Sequence, residues 1–141
     1  MRRNYNRAYL HFVWATWDRQ PLLMPAVRDF VYPIILSECA KQKCRVEAIG
    51  GVEDHIHLVV HFSPTASFAS LMKATKGASS NAATDRFPEL FFKWQGAYGV
   101  ESVSPDGLPA VIRYVQRQRE HHADDLLQDH WERTDTELDE E

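Results

Sequence analysis

An α+β fold, with a four-stranded antiparallel sheet and helices on both faces, is predicted by three observations. Strand-like and helix-like segments follow the order strand, helix, strand, strand, helix, strand, helix. One strand, Asp54-His55-Ile56-His57-Leu58-Val59-Val60, divides into an oily face and an imidazole face. The chain's 141 residues, 44% of them hydrophobic, are enough for one well-filled core and short for two, so a single domain is expected.

Tyr9 to Trp17 is aromatic and β-branched, reads as a strand, and is apolar on both faces, which suits an interior position. Asp18-Arg19-Gln20-Pro21 ends it. Val27, Phe30, Val31, Ile34, Ile35 and Leu36 then recur at helical spacing up to about Lys43, with Pro33 removing one backbone hydrogen bond. Arg45 to Val52 is a second strand, and Gly50-Gly51 marks a bulge or a close backbone approach. Glu53-Asp54 turns the chain into the histidine strand, which runs to about Phe62 before Ser63-Pro64-Thr65.

A second helix is expected from about Ser67 to Ala83, with Phe68, Leu71, Met72 and Thr75 facing inward. Lys73, Lys76 and Arg86 lie on or just beyond its outer side, either as a solvated face or as contacts for a polyanion. Residues 91–103 mix aromatics with glycines and end in an alternating strand; Trp94 and Tyr98 are candidates for core packing or for stacking on bases. Ser104-Pro105-Asp106-Gly107 is a turn, after which Leu108 and Pro109 open a helix continuing at least through His122. Right-handed crossovers turn this order into a ferredoxin-like or RRM-like sheet with its first and third strands central and two helices on one face. If Ile56, Leu58, Val60 and Phe62 meet those helices, His55 and His57 point to the other face, which the last helix covers.

The formal net charge of −4 is unevenly spread. Nine carboxylates stand against Arg133 alone from Ala123 to Glu141, leaving eleven acids and fifteen bases in residues 1–122. A mildly basic body accepts a polyanion, and the acidic stretch reads as a solvated extension. No apolar run approaches bilayer length and no signal core follows Met1-Arg2-Arg3-Asn4, so a cytoplasmic protein without a membrane partner is expected. Cys39 and Cys44 suggest neither a disulfide framework nor a zinc site.

Two imidazoles two residues apart on one strand face can bind a single divalent cation, or can be a half-exposed hydrogen-bonding pair. On the last helix Tyr114 and Gln118 share a face, about 40° apart and one turn along. Arg113, Arg117 and Arg119 beside them are donors suited to phosphate, or a solvated face.

Asp54-His55-Ile56-His57-Leu58, Trp94-Gln95-Gly96-Ala97-Tyr98-Gly99 and Tyr114-Val115-Gln116-Arg117-Gln118 together resemble the single-tyrosine HUH transposases of small bacterial insertion sequences, including their REP-associated relatives. The resemblance spans roughly Tyr9 to His122, so residues 1–122 are expected to be the transposase domain and 123–141 an acidic C-terminal tail to which nothing is carried over. It implies an RRM-like fold, a homodimer with active sites shared between subunits, and an enzyme that nicks and rejoins single-stranded DNA at hairpin-containing ends. It also implies that His55, His57 and Gln118 ligate Mg²⁺ or Mn²⁺ and that Tyr114 is the nucleophile. Lys73, Lys76, Arg86, Trp94, Arg113 and Arg117 are the expected nucleic-acid contacts. The competing readings are an RRM-like binding module without catalysis and a hydrolase in which water attacks in place of Tyr114.

Overall fold

A computed structural model describes residues 5–118 and 129–134. Its strands are β1 (Tyr9–Ala15), β2 (Arg45–Gly51), β3 (His55–His61) and β4 (Gly99–Val103), and its helices α1 (Pro25–Lys41), α2 (Phe68–Arg86), α3 (Leu108–Gln116) and a single turn, α4 (Asp129–Glu132). The strands form one antiparallel sheet in the order β2-β3-β1-β4, with the histidine strand and β1 in the middle as expected. None of the helices among the described residues is long and apolar enough to cross a membrane.

Strand alternation sorts the sheet into two faces. Phe12, Trp14, Ile56, Leu58 and Val60 point to one side, where Val27, Val31 and Ile35 of α1 and Leu71, Met72 and Ala83 of α2 close over them. Burying each such aliphatic side chain contributes roughly 1.5–3 kcal/mol, so this layer holds the fold together. Pro33 remains inside a continuous α1, and α2 starts with a reciprocal pair in which Ser67 and Ser70 side chains each accept from the other's backbone N–H at 3.0 Å. Cys39 and Cys44 are free and buried, and burial pushes the Cys39 thiol up to about 12.

The other face is where the chemistry sits. Here Val59, Ala48 and Val103 pack against Val111 and Val115 of α3. The register sets His57 between Val13 of β1 and Gly50 of β2, His55 opposite Ala15, and Gly99 opposite Val13 on the far side. Two glycines thus flank the imidazole face, and both are needed there. A Cβ on Gly50 would overlap the carbonyl oxygen of Val115, and one on Gly99 would overlap that of Arg133. With only hydrogens at these positions, α3 and the chain after α4 come down onto the sheet beside the histidines.

Three boundaries differ from the sequence expectation. The irregularity in β2 falls between Val46 and Ala48, while Gly50 serves the close approach of α3. Helix α2 runs on to Arg86. The described part of α3 ends at Gln116 with Arg117 as its cap, and residues 119–122 lie outside the described residues.

Candidate active site

His55 and His57 are 2% and 0% exposed and face α3 from β3. Tyr114, on the underside of α3, brings its ring to 5.9 Å from that of His57, edge to face. Its hydroxyl donates to Glu132 Oε2, and the other oxygen of the same carboxylate lies 2.9 Å from His55 Nε2 and 3.3 Å from His57 Nε2. Two imidazoles, a phenol and a carboxylate therefore converge within one chain.

The far nitrogens of the rings are also held. His55 Nδ1 lies 2.7 Å from Asp54 Oδ1, with the Arg19 guanidinium 3.7 Å from that oxygen. His57 Nδ1 lies 2.8 Å from Nε2 of His11, a 2% exposed residue of β1 whose ring stacks on that of His57. Asp54 and His11 hold the far ring nitrogens and so fix the ring orientations, as outer partners do for histidine ligands, while a protonated Nε2 donates to the Glu132 carboxylate. Burial disfavours a charge on His55, but the carboxylates of Asp54 and Glu132 outweigh it and raise its pKa. Burial likewise opposes ionisation of Glu132, yet hydrogen bonds from His55, His57 and Tyr114 hold it well below the usual carboxylate range.

His55 Nε2, His57 Nε2 and a Glu132 oxygen form a cluster whose ligand atoms lie within 4.8 Å of one another. Donors about 2.1 Å from one ion and at right angles to each other stand about 3.0 Å apart, close to the two Glu132–imidazole separations, and imidazole and carboxylate are donor types that a divalent cation takes.

Gln118, the expected third ligand, is 1% exposed and its amide nitrogen donates to the carbonyl of Tyr114 at 3.2 Å. It lines a cleft of about 360 Å³ with Arg28, Tyr32, Gly50 and Arg117. Arg113 and Arg117 are exposed on α3 and border a second hollow of about 250 Å³ beside Tyr114 and Trp131. Lys73 is exposed, whereas Lys76 donates to the carbonyls of Gln95 at 2.8 Å and Gly96 at 3.2 Å, and burial lowers its pKa. Both lysines line a hollow of about 320 Å³ with Gly96 and Tyr98. Gln95, in the same loop, donates its backbone N–H to the carbonyl of Ala15, the residue paired with His55. Arg86 lies over the ring of Phe87 at 5.0 Å.

Trp94 is a correction. It is 6% exposed, packs edge to face on Trp14 and Phe92, and donates its indole N–H to Ser79, so it is a core residue with no free face for a base. The acidic stretch is a second difference. Trp131 and Glu132 lie partly buried against the sheet, where charge composition alone suggested a solvated extension. Glu132 was missed for that reason; the one available signal was Trp131, the sole aromatic after His122. His11 was missed because β1 is apolar on both faces, which left its parity unreadable.

Comparison with known proteins places the chain among DNA transposases. Residues 4–118 match the family described as "Transposase IS200 like", and the chain belongs to that family. It is similar to the ISDra2 transposase TnpA of Deinococcus radiodurans, 25% identical over 116 residues covering 78% of this chain and 83% of that protein. A crystal structure from Deinococcus radiodurans described as that of a transposase shares the fold, with a TM-score of 0.67, 26% identity and coverage of 84% of this chain and 96% of that one. A REP-associated tyrosine transposase bound to a REP hairpin has the same fold, with a TM-score of 0.67, 15% identity and coverage of 86% and 73%.

Proposed function

We propose that this transposase nicks and rejoins single-stranded DNA at hairpin-containing ends, with Tyr114 as nucleophile and a divalent cation at His55 and His57. The observation that carries this reading is the convergence of the Tyr114 hydroxyl and both imidazole Nε2 atoms on one carboxylate. The phenol gives up its proton as its oxygen attacks the phosphorus, the bond to the 3′ oxygen breaks, and that oxygen takes up a proton by way of water and leaves as a hydroxyl while the 5′ phosphate stays on the tyrosine. Because the new ester keeps the energy of the broken one, another 3′-hydroxyl can displace Tyr114 and join DNA without ATP. Mg²⁺ or Mn²⁺ there supplies Lewis-acid neutralisation of the phosphate, and a donor set rich in imidazole suits Mn²⁺ the better of the two. His11 and Asp54 keep the rings oriented, and Arg113 and Arg117 border the hollow beside the nucleophile, where they can meet the strand's phosphates.

The fold shared with a hairpin-bound relative supports a hairpin substrate, and Lys73 and Lys76 are the proposed grip on it, with Arg86 at the end of the same helix. Charge reversal at Lys73 and Lys76 is expected to weaken hairpin binding and flatten its dependence on salt, each lost phosphate contact reducing the log–log slope by about 1. Affinities measured between low and moderate salt check this, and an unchanged slope excludes the grip. A homodimer acting in the cytoplasm belongs to this reading; because one chain supplies both the histidines and the tyrosine, exchange of α3 between subunits is not required.

The test is incubation of the protein with a labelled single-stranded hairpin oligonucleotide and Mn²⁺ or Mg²⁺. A detergent-resistant protein–DNA adduct is expected, and it is expected to vanish when the metal is chelated. Binding with no cleavage under any metal would support an RRM-like binding module instead, and cleavage with no adduct would assign the attack to water.

A further inference from the structure

We infer that the exposed indole of Trp17, flanked by Lys93 and Arg19, is the surface on which an unpaired base of the DNA strand stacks next to the active site. The inference rests on the single-stranded DNA substrate proposed above and adds the feature that tells an unpaired strand from a duplex.

Trp17 follows β1, where the short turn Trp17–Arg19 carries the chain away from the sheet. It is 45% exposed, unlike Trp14 and Trp94 in the core. Lys93 Nζ lies 3.9 Å from the centroid of its ring, and among the described residues no other strongly exposed aromatic carries a cation in this way. An aromatic face for the base and a cation for its phosphate are the two elements by which proteins hold single strands without reading their sequence. In a duplex each base is covered by its neighbours, so only an unpaired base can lie flat on the indole.

The turn is held in a conformation that its residues disfavour. Asp18 and Arg19 both have left-handed backbones, with φ of 53° and 54°. Hydrogen bonds secure it: Thr16 Oγ1 donates to the Gln20 carbonyl at 2.6 Å, the Trp17 N–H to the Lys93 carbonyl at 2.9 Å, and the Asp18 N–H to Gln95 Oε1 at 3.3 Å. This backbone sets Trp17 beside Lys93 and returns Arg19 to the histidines, with a guanidinium nitrogen 3.3 Å from His55 Nδ1. On its other side the supporting loop meets Lys76, which donates to the Gln95 carbonyl at 2.8 Å. The turn therefore links, by direct contacts, the lysine assigned to the hairpin and the histidine assigned to the metal. A strand running from hairpin to scissile phosphate has that interval to cross.

The test is fluorescence anisotropy of the full chain with two labelled probes, a DNA hairpin and the same hairpin carrying single-stranded thymidine arms at both ends. No metal is added, so the chemistry of Tyr114 does not enter. The wild type is expected to bind the armed probe more tightly. Trp17→Ala is expected to lose about fivefold or more on the armed probe and nothing on the bare hairpin, with Trp17→Phe recovering part of the loss. Lys93→Gln is expected to lower the log–log salt slope for the armed probe by about 0.7, the value for one phosphate contact on a single strand. Irradiation of the wild type with iodouracil in the arms is expected to crosslink the peptide carrying Trp17, a readout that needs no variant. Wild-type affinity of Trp17→Ala for the armed probe overturns the inference, as does an equal loss on both probes, which would mark Trp17 as structural. Arms that add nothing to wild-type binding also overturn it while leaving the hairpin reading in place, whereas binding of neither probe removes both.

Discussion

Tyr114→Phe is expected to abolish the covalent protein–DNA adduct while leaving the fold and hairpin binding in place. The ring of Tyr114 is 4% exposed and packs on His57 and Trp131, and phenylalanine keeps those contacts. What disappears is the hydroxyl and its hydrogen bond to Glu132, a loss of about 1 kcal/mol in stability. Removing a nucleophile that no neighbour can replace lowers the covalent step by on the order of a thousandfold or more. Denaturing gels of the variant with labelled DNA and Mn²⁺ read the adduct, and thermal unfolding reads the fold. An adduct at wild-type level would move the nucleophile to another residue.

Gly50→Ala has the second largest expected effect, and it acts without touching any reacting group. Gly50 sits opposite His57 in the sheet, and its added methyl would overlap the carbonyl oxygen of Val115, the residue that follows Tyr114. Backbone cannot swing aside as a side chain does, so α3 must lift or β2 must bend. Overpacking of this kind costs roughly 1–3 kcal/mol. A displacement of about 1 Å at the nucleophile can cost a hundredfold in rate, so adduct formation is expected to fall further than stability does. Single-turnover cleavage and thermal unfolding of the variant give the two numbers. Unchanged rates with an unchanged melting temperature would mean that α3 is not seated on the sheet as described.

These two residues illustrate what sequence could and could not convey. The alternation of His55, Ile56, His57 and Leu58 settles which way the imidazoles point once Ile56 and Leu58 are given to the helices, and the element order settles which strands are central. Tyr114 becomes part of the site because a helix that must cover the imidazole face brings its inner side chains there. Gly50 was legible as a place of close approach, but only packing reveals that the partner is the backbone of α3. Trp94 was ambiguous because an aromatic beside a strand is equally suited to a core and to a base, and its hydrogen bond to Ser79 depends on how α2 lies over the sheet. Glu132 was the hardest to see. It lies 75 residues from His57, in a segment whose charge argues for water, and its docking depends on Trp131 and on an absent side chain at Gly99. Such tertiary contacts leave no local periodicity to read.

The most direct measurement of the central claim is mass spectrometry of the adduct, trimmed with nuclease and digested with protease, to locate the attached nucleotide. A 5′-linked nucleotide on the peptide carrying Tyr114, formed only when His55 and His57 are intact, is the predicted result. A nucleotide on any other residue, or the same modification in chains lacking both histidines, would contradict it.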